Sequence, residues 1–187
     1  ISGYQDAGVC GISVLTDFDF FGGTNDDLKI ARKIFEGPIL RKDFIIDKYQ
    51  ILESKIYQAD CILLILSILS DDQAIEFINY ANELKLDCII EVHDEDELKR
   101  AIKLDYPVIG INNRNLKSLE INLNNSINLN KNLINDYILI AESGIKTSDD
   151  IKKFNSTGIY NFLIGESLLK SKDKEKKIGE LLLNESY

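Results

Sequence analysis

Short apolar runs that alternate with helical patterns predict an α/β protein of the (β/α)8 TIM-barrel class. Five of the apolar runs end in a polar or ionisable cluster, and these clusters contain Lys42, Glu91, Asn112, Glu142 and Glu166. A short run of apolar, often β-branched residues is typical of a strand buried on both faces. Polar residues gathered at the C-terminal ends of such strands are typical of a barrel active site. The pattern therefore predicts both the fold and the end of the strands where chemistry takes place.

Seven strands are predicted, and a helical pattern follows each of them. The predicted strands cover residues 11–15, 39–42, 61–64, 88–92, 108–112, 138–142 and 162–165. The predicted helices cover about residues 26–35, 48–58, 71–84, 95–103, 124–132, 148–154 and 174–183. Ser70 is the expected N-cap of the third helix, with aspartates at its first positions. Short loops between these segments favour a parallel sheet with helices outside it.

A closed barrel of this class has eight strands and eight helices, one of each more than the pattern provides. Residues 1–7 resemble the last turn of a helix, with Gly8 as its C-cap. We therefore expect strand 1 and most of helix 1 to be missing from this sequence. The expected organisation is a single barrel domain over residues 1–187, made of strands 2 to 8 with their helices.

Composition excludes several classes of function. The 187 residues carry a net charge of −9, and the pI is about 4.7. An acidic chain is a poor candidate for binding nucleic acid or an anionic membrane, because both require basic patches. No apolar run approaches the roughly 20 residues of a membrane span. We therefore expect no nucleic-acid and no membrane partner.

The cysteines and the single histidine also limit the function. Cys10, Cys61 and Cys88 are odd in number and lie near predicted strands, which is typical of small buried residues in a reducing compartment. His93 has no partners at the spacing of a metal site. The sequence therefore predicts a cytoplasmic protein with no metal.

Lys42 and Glu91 each follow an apolar run directly, and each has two interpretations. Lys42 either extends out of the barrel end and pairs with Asp43, or it donates a proton or holds an anionic substrate. Glu91 is either part of a structural salt bridge or a general base opposite Lys42, since a carboxylate among apolar neighbours is costly unless it is paired.

The next strand ends carry groups suited to binding. Asn112 can orient a substrate hydroxyl and Arg114 can bind a carboxylate or phosphate, although the Asn pair at 112–113 is equally typical of a simple turn. Gly144 and Gly165 follow the last two strands, where barrels commonly hold a phosphate with backbone N–H groups. The aromatic pair at 20–21 is usually loop packing, but at this barrel end it could cover an aromatic substrate.

These segments, taken together, resemble indole-3-glycerol phosphate synthase over essentially the whole chain. The matching segments read SVLTD and FFGG (13–17 and 20–23), LRKDFI (40–45), EVH (91–93), GINNRNL (110–116), AESGI (141–145) and FLIGESL (162–168). The resemblance implies a tryptophan-biosynthesis lyase that acts on 1-(o-carboxyphenylamino)-1-deoxyribulose 5-phosphate. The reaction closes a ring, releases CO2 and water, and yields indole-3-glycerol phosphate. It implies no cofactor, and it leaves association or fusion with other enzymes of the pathway open.

The resemblance also implies a role for individual residues. Lys42 is the general acid of ring closure, Glu91 transfers protons during dehydration, and Asn112 and Glu142 orient the reacting groups. Arg114 supports either the substrate carboxylate or Glu142. Two further sets complete the site. The substrate-binding set is Phe21, Phe44, Leu63, Arg114 and Leu163, and the phosphate-binding set is Ser143, Gly144, Gly165 and Glu166, the last through its backbone.

The sequence departs from the family in one respect. The family's first strand carries a Glu and leads into a Ser-Pro-Ser segment with a second catalytic lysine, and none of these is present. We therefore expect little or no synthase activity from these 187 residues alone. Two alternatives stay open: another phosphate-binding barrel enzyme such as phosphoribosylanthranilate isomerase, which would use a Cys and Asp pair, and a non-catalytic barrel remnant.

Overall fold

The structure is a computed structural model, and it describes residues 2–116, 118–131, 133 and 137–182. The chain divides into two compact units, Ile1–Glu91 and Val92–Tyr187. Strands and helices alternate along both units, and the strand pairs described below are all parallel. Alternation of this kind with parallel pairing is the α/β architecture that the sequence predicts.

The first unit contains four strands in sequential order. Its elements are α1 (Ser2–Asp6), β1 (Ile12–Leu15), α2 (Phe18–Phe21), α3 (Asn25–Ile34), β2 (Ile39–Lys42), α4 (Lys48–Ile56), β3 (Cys61–Ile65), α5 (Asp71–Glu83) and β4 (Asp87–Val92), the last of which ends one residue past the unit. Strand β1 pairs with β2, β2 with β3, and β3 with β4. The register ends with Leu15 opposite Lys42 and with Ile65 opposite Glu91.

The second unit contains the remaining strands. Its elements are α6 (Glu95–Leu104), β5 (Val108–Asn112), α7 (Asn124–Asn130), β6 (Ile138–Glu142), α8 (Ser148–Asn155), β7 (Asn161–Leu163), α9 (Glu166–Lys170) and α10 (Lys174–Leu181). Strand β6 lies between β5 and β7. The register places Asn112 opposite Glu142, and Glu142 opposite Leu163.

All seven predicted strands and all seven predicted helices are present, with differences at their ends. The last strand stops at Leu163, so Gly165 is not part of it as predicted but is the N-cap of α9. Two predicted helix ends, Asn132 and Leu183, lie outside the described residues. The sequence prediction missed the short helices α2 and α9, because neither is long enough to show helical periodicity.

Side-chain caps define where several helices begin. Asp47, Ser70 and Thr147 each accept a hydrogen bond from a backbone N–H in the first turn, at the start of α4, α5 and α8. In each case the residue three positions later bonds back to the cap, which makes a capping box. The Ser70 cap confirms the prediction for α5. These local signals fix the helix starts, and the buried faces then fix the packing.

An apolar cluster holds α3 against the first two strands. Leu28, Ala31 and Phe35 from the helix side are buried against Ile39 and Ala59. Burial of these side chains removes apolar surface from water, which stabilises the packing of the helix on the sheet. In the described part of the chain, no helix is long and apolar enough to cross a membrane.

The three cysteines are free, and they differ in their exposure. Cys88 is buried as predicted, and Cys61 is half-buried. Cys10 is exposed, contrary to the prediction, because it lies in the loop before β1 and not within the strand.

A buried arginine ties the first two strands to α4. Arg41 has 3% of its side chain exposed, and its Nη2 lies 2.9 Å from Asp43 Oδ2. Its Nε donates to Thr16 Oγ1 at 3.0 Å, and its Nη1 donates to the carbonyl of Gln50 at 2.8 Å and to Ser54 Oγ at 3.2 Å. A planar guanidinium can bridge several acceptors in this way, which a lysine amine cannot do as rigidly.

The same network includes Thr16, the residue that directly follows strand β1. The Thr16 hydroxyl donates to Asp43 Oδ2 at 2.6 Å, and the backbone N–H of Thr16 donates to the carbonyl of Lys42 at 3.3 Å. Glu53 from α4 adds a second carboxylate 3.5 Å from Arg41. The backbone on both sides of Lys42 is therefore held by buried hydrogen bonds.

A left-handed turn follows strand β6. Ser143 has φ +65° and Gly144 has φ +85°. A Cβ placed on Gly144 would overlap Ile121 Cγ2 and would lie 2.9 Å from Leu123 Cδ2. Both the backbone conformation and the packing therefore require glycine at position 144.

Replacing Arg41 by Met should destabilise the chain strongly. The change leaves Asp43 and Glu53 without their cation, and breaking a buried pair in this way typically costs about 3–5 kcal/mol. Urea unfolding measures the loss. The matched control is Lys152→Met, which removes an exposed pair with Asp149 and should cost less than about 1 kcal/mol. Equal losses in the two variants would contradict the role given to Arg41.

Gly144→Ala should cost more stability than Gly158→Ala. Gly158 also has a left-handed φ of +88°, but nothing lies within 4 Å of its Cβ position. The control therefore carries only the backbone strain, whereas the Gly144 variant adds the overlap with Ile121, which typically costs about 1–3 kcal/mol more. Differential scanning calorimetry compares the two. Indistinguishable unfolding temperatures would show that the packing around Gly144 is wrongly placed.

Candidate active site

Lys42 and Glu91 form an ion pair at the carboxyl ends of β2 and β4. Lys42 Nζ lies 3.6 Å from Glu91 Oε2, and the Glu91 side chain is 3% exposed against 28% for Lys42. Asp43, the alternative partner of Lys42, pairs with Arg41 instead. The structure therefore places a buried carboxylate beside a partly accessible amine, which is an arrangement that can exchange protons with a bound molecule.

Strand alternation explains why Lys42 and its neighbour have different surroundings. Successive side chains on a strand point to opposite faces. The Arg41 side chain points to α4, where it contacts Gln50 and Ser54. Lys42 therefore points to the other face of the strand, toward Glu91. The buried network of Arg41 lies directly behind the backbone that carries the amine.

Asn112 and Glu142 lie opposite each other on β5 and β6. They are Cα partners in the parallel register, and both side chains are buried. The Oδ1 atom of Asn112 accepts a hydrogen bond from the backbone N–H of Arg114 at 2.9 Å, which fixes the amide at the strand end. An amide and a carboxylate at one level can orient hydroxyl groups of a ligand.

Arg114 contacts Glu166 and not Glu142, one of the two partners that the resemblance suggested. Its Nη2 lies 2.9 Å from Glu166 Oε2, and Lys170 Nζ lies 2.5 Å from Glu166 Oε1. The hydrogen bond and charge of Lys170, together with the charge of Arg114, hold the pKa of the Glu166 carboxyl below its usual range. Two cations therefore offset the negative charge that Glu166 would present to an anionic ligand.

The predicted phosphate residues lie at the ends of β6 and β7. Ser143 and Gly144 form the left-handed turn after β6. Gly165 has a φ of −120°, which other residues adopt readily, so its backbone does not require glycine. Its Cβ position has no atom within 4 Å, which leaves open space at that point. Glycine is therefore required by the backbone at position 144 but not at position 165.

The predicted aromatic pocket residues differ in their exposure. Leu63 is buried, Leu163 is half-buried, and Phe21 is 58% exposed. Phe44 packs edge to face on Phe20, with ring centroids 5.8 Å apart. Phe20, which was not selected for the pocket, therefore contacts the predicted pocket residue Phe44.

Two residues with a structural part in the site were not selected from the sequence. From the sequence, Arg41 was assigned only to the polar cluster after an apolar run, and Asn113 only to a turn. In both cases the available signal was a polar residue directly beside a predicted site residue. Strand alternation directs the side chain of Arg41 into the protein, and the turn after β5 does the same for Asn113. In the described part of the chain, no group of three or more His, Cys, Asp or Glu side chains could hold a metal ion.

Comparison with solved structures shows proteins of similar fold. Thiamine phosphate pyrophosphorylase from Pyrococcus furiosus has a TM-score of 0.72, with 13% identity over 97% of this chain and 85% of that chain. KGPDC from Streptococcus mutans also has a TM-score of 0.72, with 14% identity over 96% of this chain and 89% of that chain. At these identities the likeness concerns fold alone, and it confirms the (β/α) barrel class.

Comparison of the sequence gives the family. The family model described as indole-3-glycerol phosphate synthase matches residues 2–181. The protein of that name from Acinetobacter baylyi is 46% identical over 179 residues, which are 95% of this chain and 67% of the relative. That from Legionella pneumophila strain Paris is 47% identical over 96% of this chain and 69% of the relative.

A third relative gives the same result over a shorter stretch. Indole-3-glycerol phosphate synthase from Acinetobacter baumannii strain ATCC 17978 is 48% identical over 168 residues, 89% of this chain and 63% of the relative. The chain thus spans 63–69% of the length of these three relatives. The paired polar residues at the strand ends occur within the matched region, and the chain belongs to the indole-3-glycerol phosphate synthase family.

Proposed function

We propose that the chain acts in tryptophan biosynthesis as an indole-3-glycerol phosphate synthase, a carboxy-lyase. The substrate would be 1-(o-carboxyphenylamino)-1-deoxyribulose 5-phosphate, and the products indole-3-glycerol phosphate, CO2 and water. The observation that carries the proposal is the ion pair of Lys42 with the buried Glu91, within a chain that belongs to this family.

The ion pair suits the first chemical step. Ring closure needs a proton on the substrate carbonyl as the aromatic ring carbon attacks it, and the Lys42 ammonium is the proposed donor. The carboxylate of Glu91 lies near enough to stabilise the ammonium, which is the form of the amine that can donate. Glu91 would then transfer protons in the dehydration that completes the indole, after CO2 has left the ring carbon.

Asn112 and Glu142 would orient the substrate hydroxyls and the cationic intermediate. Two observations support this role: both side chains are buried, and the two residues are Cα partners on neighbouring strands. Both features limit the positions that either side chain can take. A group held in this way loses little freedom when a ligand binds, so its hydrogen bonds contribute to orientation at low cost.

The substrate phosphate would bind at the ends of β6 and β7. Ser143, Gly144, Gly165 and Glu166 would contribute backbone N–H groups. The pairing of Glu166 with Arg114 and Lys170 supports this assignment, because it reduces the repulsion between that carboxylate and a phosphate. The aromatic ring and the carboxylate of the substrate would contact the substrate-binding set, with Arg114 at the carboxylate and the ring against Phe21, Phe44, Leu63 and Leu163.

The same proposal covers location and partners. Free cysteines fit a reducing compartment such as the cytoplasm. The expected partner is a small phosphorylated substrate, with association or fusion to other enzymes of the tryptophan pathway as a further expectation. No cofactor or metal enters the proposed chemistry.

In the chain extended by the first-strand segment of the Acinetobacter baylyi relative, Lys42→Ala should lower turnover by about 10²–10⁴-fold, the usual contribution of general acid–base catalysis. Glu91→Gln should also lose turnover but keep substrate binding, because the shape of the side chain is retained. Formation of indole-3-glycerol phosphate, followed by its fluorescence, measures both. The exposed Lys33 on α3 provides the control variant Lys33→Ala.

The assay should be run on the extended chain and on the 187 residues alone, and the 187 residues alone should show little or no turnover. The proposal is supported if Lys42→Ala lowers the turnover of the extended chain and Lys33→Ala does not. Turnover that is unchanged in Lys42→Ala removes Lys42 from the mechanism. An extended chain that folds and binds product without any turnover favours a non-catalytic role.

A further inference from the structure

The turn after β6 presents two backbone N–H groups, those of Ser143 and Gly144, that donate to no acceptor within the part of the chain that the structure describes. Two consecutive residues with left-handed φ, of which one is not glycine, are an unfavourable conformation unless surrounding contacts hold it. Something must therefore stabilise this turn.

The side chain of Asn113 makes those contacts. Asn113 is 2% exposed. Its Nδ2 donates to the carbonyl of Glu142 at 2.9 Å and to the carbonyl of Ser143 at 3.2 Å. Its backbone N–H also donates to the Glu142 carbonyl, at 2.9 Å. Both carbonyls of the turn are thus held by one residue from the neighbouring strand end.

The orientation of the Asn113 amide is itself fixed. Its Oδ1 accepts from the backbone N–H of Ser126 at 3.1 Å and from the Ser126 hydroxyl at 2.8 Å. A backbone N–H can only donate, so the amide oxygen must face Ser126 and the NH2 group must face the two carbonyls. Ser126 is completely buried, at the start of α7.

Peptide geometry then determines where the free N–H groups point. The described peptides are all trans. In a planar trans peptide, the carbonyl of one residue and the N–H of the next point in opposite directions. Because Asn113 holds the carbonyls of Glu142 and Ser143, the N–H groups of Ser143 and Gly144 must point away from Asn113. Rotation of either peptide would break a bond to the buried amide.

We infer that Asn113 is the positioning residue of the phosphate site. It holds the carbonyls of the turn so that the N–H groups of Ser143 and Gly144 face an incoming phosphate monoester. The inference rests on the proposed function, because that function supplies the phosphate. Asn113 touches neither the phosphate nor the reacting atoms, and acts through the backbone of the turn.

A neutral amide suits this position for a physical reason. The site needs two donors toward carbonyls and one acceptor toward Ser126, which is the pattern of an asparagine side chain. Aspartate would face both carbonyls with lone pairs only. Alanine would leave the carbonyls free to rotate, and only the fraction of molecules with the correct turn would bind phosphate.

Asn113→Ala tests the inference, with inorganic phosphate as the probe. The matched control is Asn125→Ala, because Asn125 Nδ2 also donates to two carbonyls, those of His93 and Asn112. Phosphate is titrated into the 15N-labelled chain, and the backbone amide signals of Ser143 and Gly144 are followed by NMR. The amide of Gly158 serves as the internal reference for unspecific effects.

The unaltered chain should show phosphate-dependent shifts at Ser143 and Gly144. The apparent dissociation constant should rise about tenfold in Asn113→Ala, the usual effect of two lost hydrogen bonds, and should stay within about twofold in Asn125→Ala. If Asn113→Ala does not fold, Asn113→Ser replaces it, because the serine hydroxyl can still donate to one carbonyl. The apparent dissociation constant for phosphate should then rise by less in Asn113→Ser than expected for Asn113→Ala, and by more than in the matched control Asn125→Ser.

Three results would overturn the inference. Equal phosphate affinity in the unaltered chain and the Asn113 variant overturns it while leaving the phosphate site intact. Equal losses in the Asn113 and Asn125 variants show a general effect on the fold. An unaltered chain without any shift at Ser143 and Gly144 removes the phosphate assignment of the proposed function, and the positioning role with it.

Discussion

The parallel register is the constraint on which the site depends. It places Lys42 opposite Leu15, Glu91 opposite Ile65, and Asn112 opposite Glu142. Neighbouring parallel strands in such a register end together, so polar residues at their last positions lie at one level. A slip of one residue would turn each of these side chains to the opposite face of its strand. Within each unit, the positions of the proposed site residues therefore follow from strand pairing that involves mostly apolar residues.

Buried polar networks beside the strand ends hold the backbone near the proposed site residues in place. Arg41 fixes the backbone around Lys42 from the helix side of the strand. Asn113 fixes the turn after Glu142 from the neighbouring strand end. Each of the two residues is the direct sequence neighbour of a proposed site residue. In both cases the residue proposed for the site and the residue that holds the nearby backbone are direct neighbours in the sequence.

The sequence alone predicted the strands well because each is a short apolar run with a polar end. The positions of Lys42, Glu91, Asn112 and Glu142 at strand ends followed from the same runs. The one-turn helix α2 was not predicted, because four residues cannot show a period of 3.6. Its ends are nevertheless marked by Asp17 as N-cap and by Gly22 at φ +66°. Capping residues without that periodicity are equally typical of an ordinary loop.

The partners of the charged residues were harder to predict than the residues themselves. Of the two interpretations of Lys42, the one that placed Glu91 opposite it agrees with the ion pair in the structure. The other paired Lys42 with Asp43, the next residue, but Asp43 pairs with Arg41 on the other side of the strand. Arg114 was expected near Glu142 or a ligand carboxylate and pairs with Glu166, 52 positions further along the chain. Such pairs depend on how loops cross the strand ends, and loop paths are not encoded in the periodicity of a single segment.

Titration of the 15N-labelled chain with indole-3-glycerol phosphate tests the position of the proposed site, because it requires binding and no turnover. Amide shifts are expected at the carboxyl ends of the strands, at Lys42, Glu91, Asn112, Gly144 and Gly165. No amide shifts are expected at the amino ends, such as Ile12 and Val108. Shifts that concentrate at the amino ends, or an absence of shifts at saturating product, would contradict this position of the site.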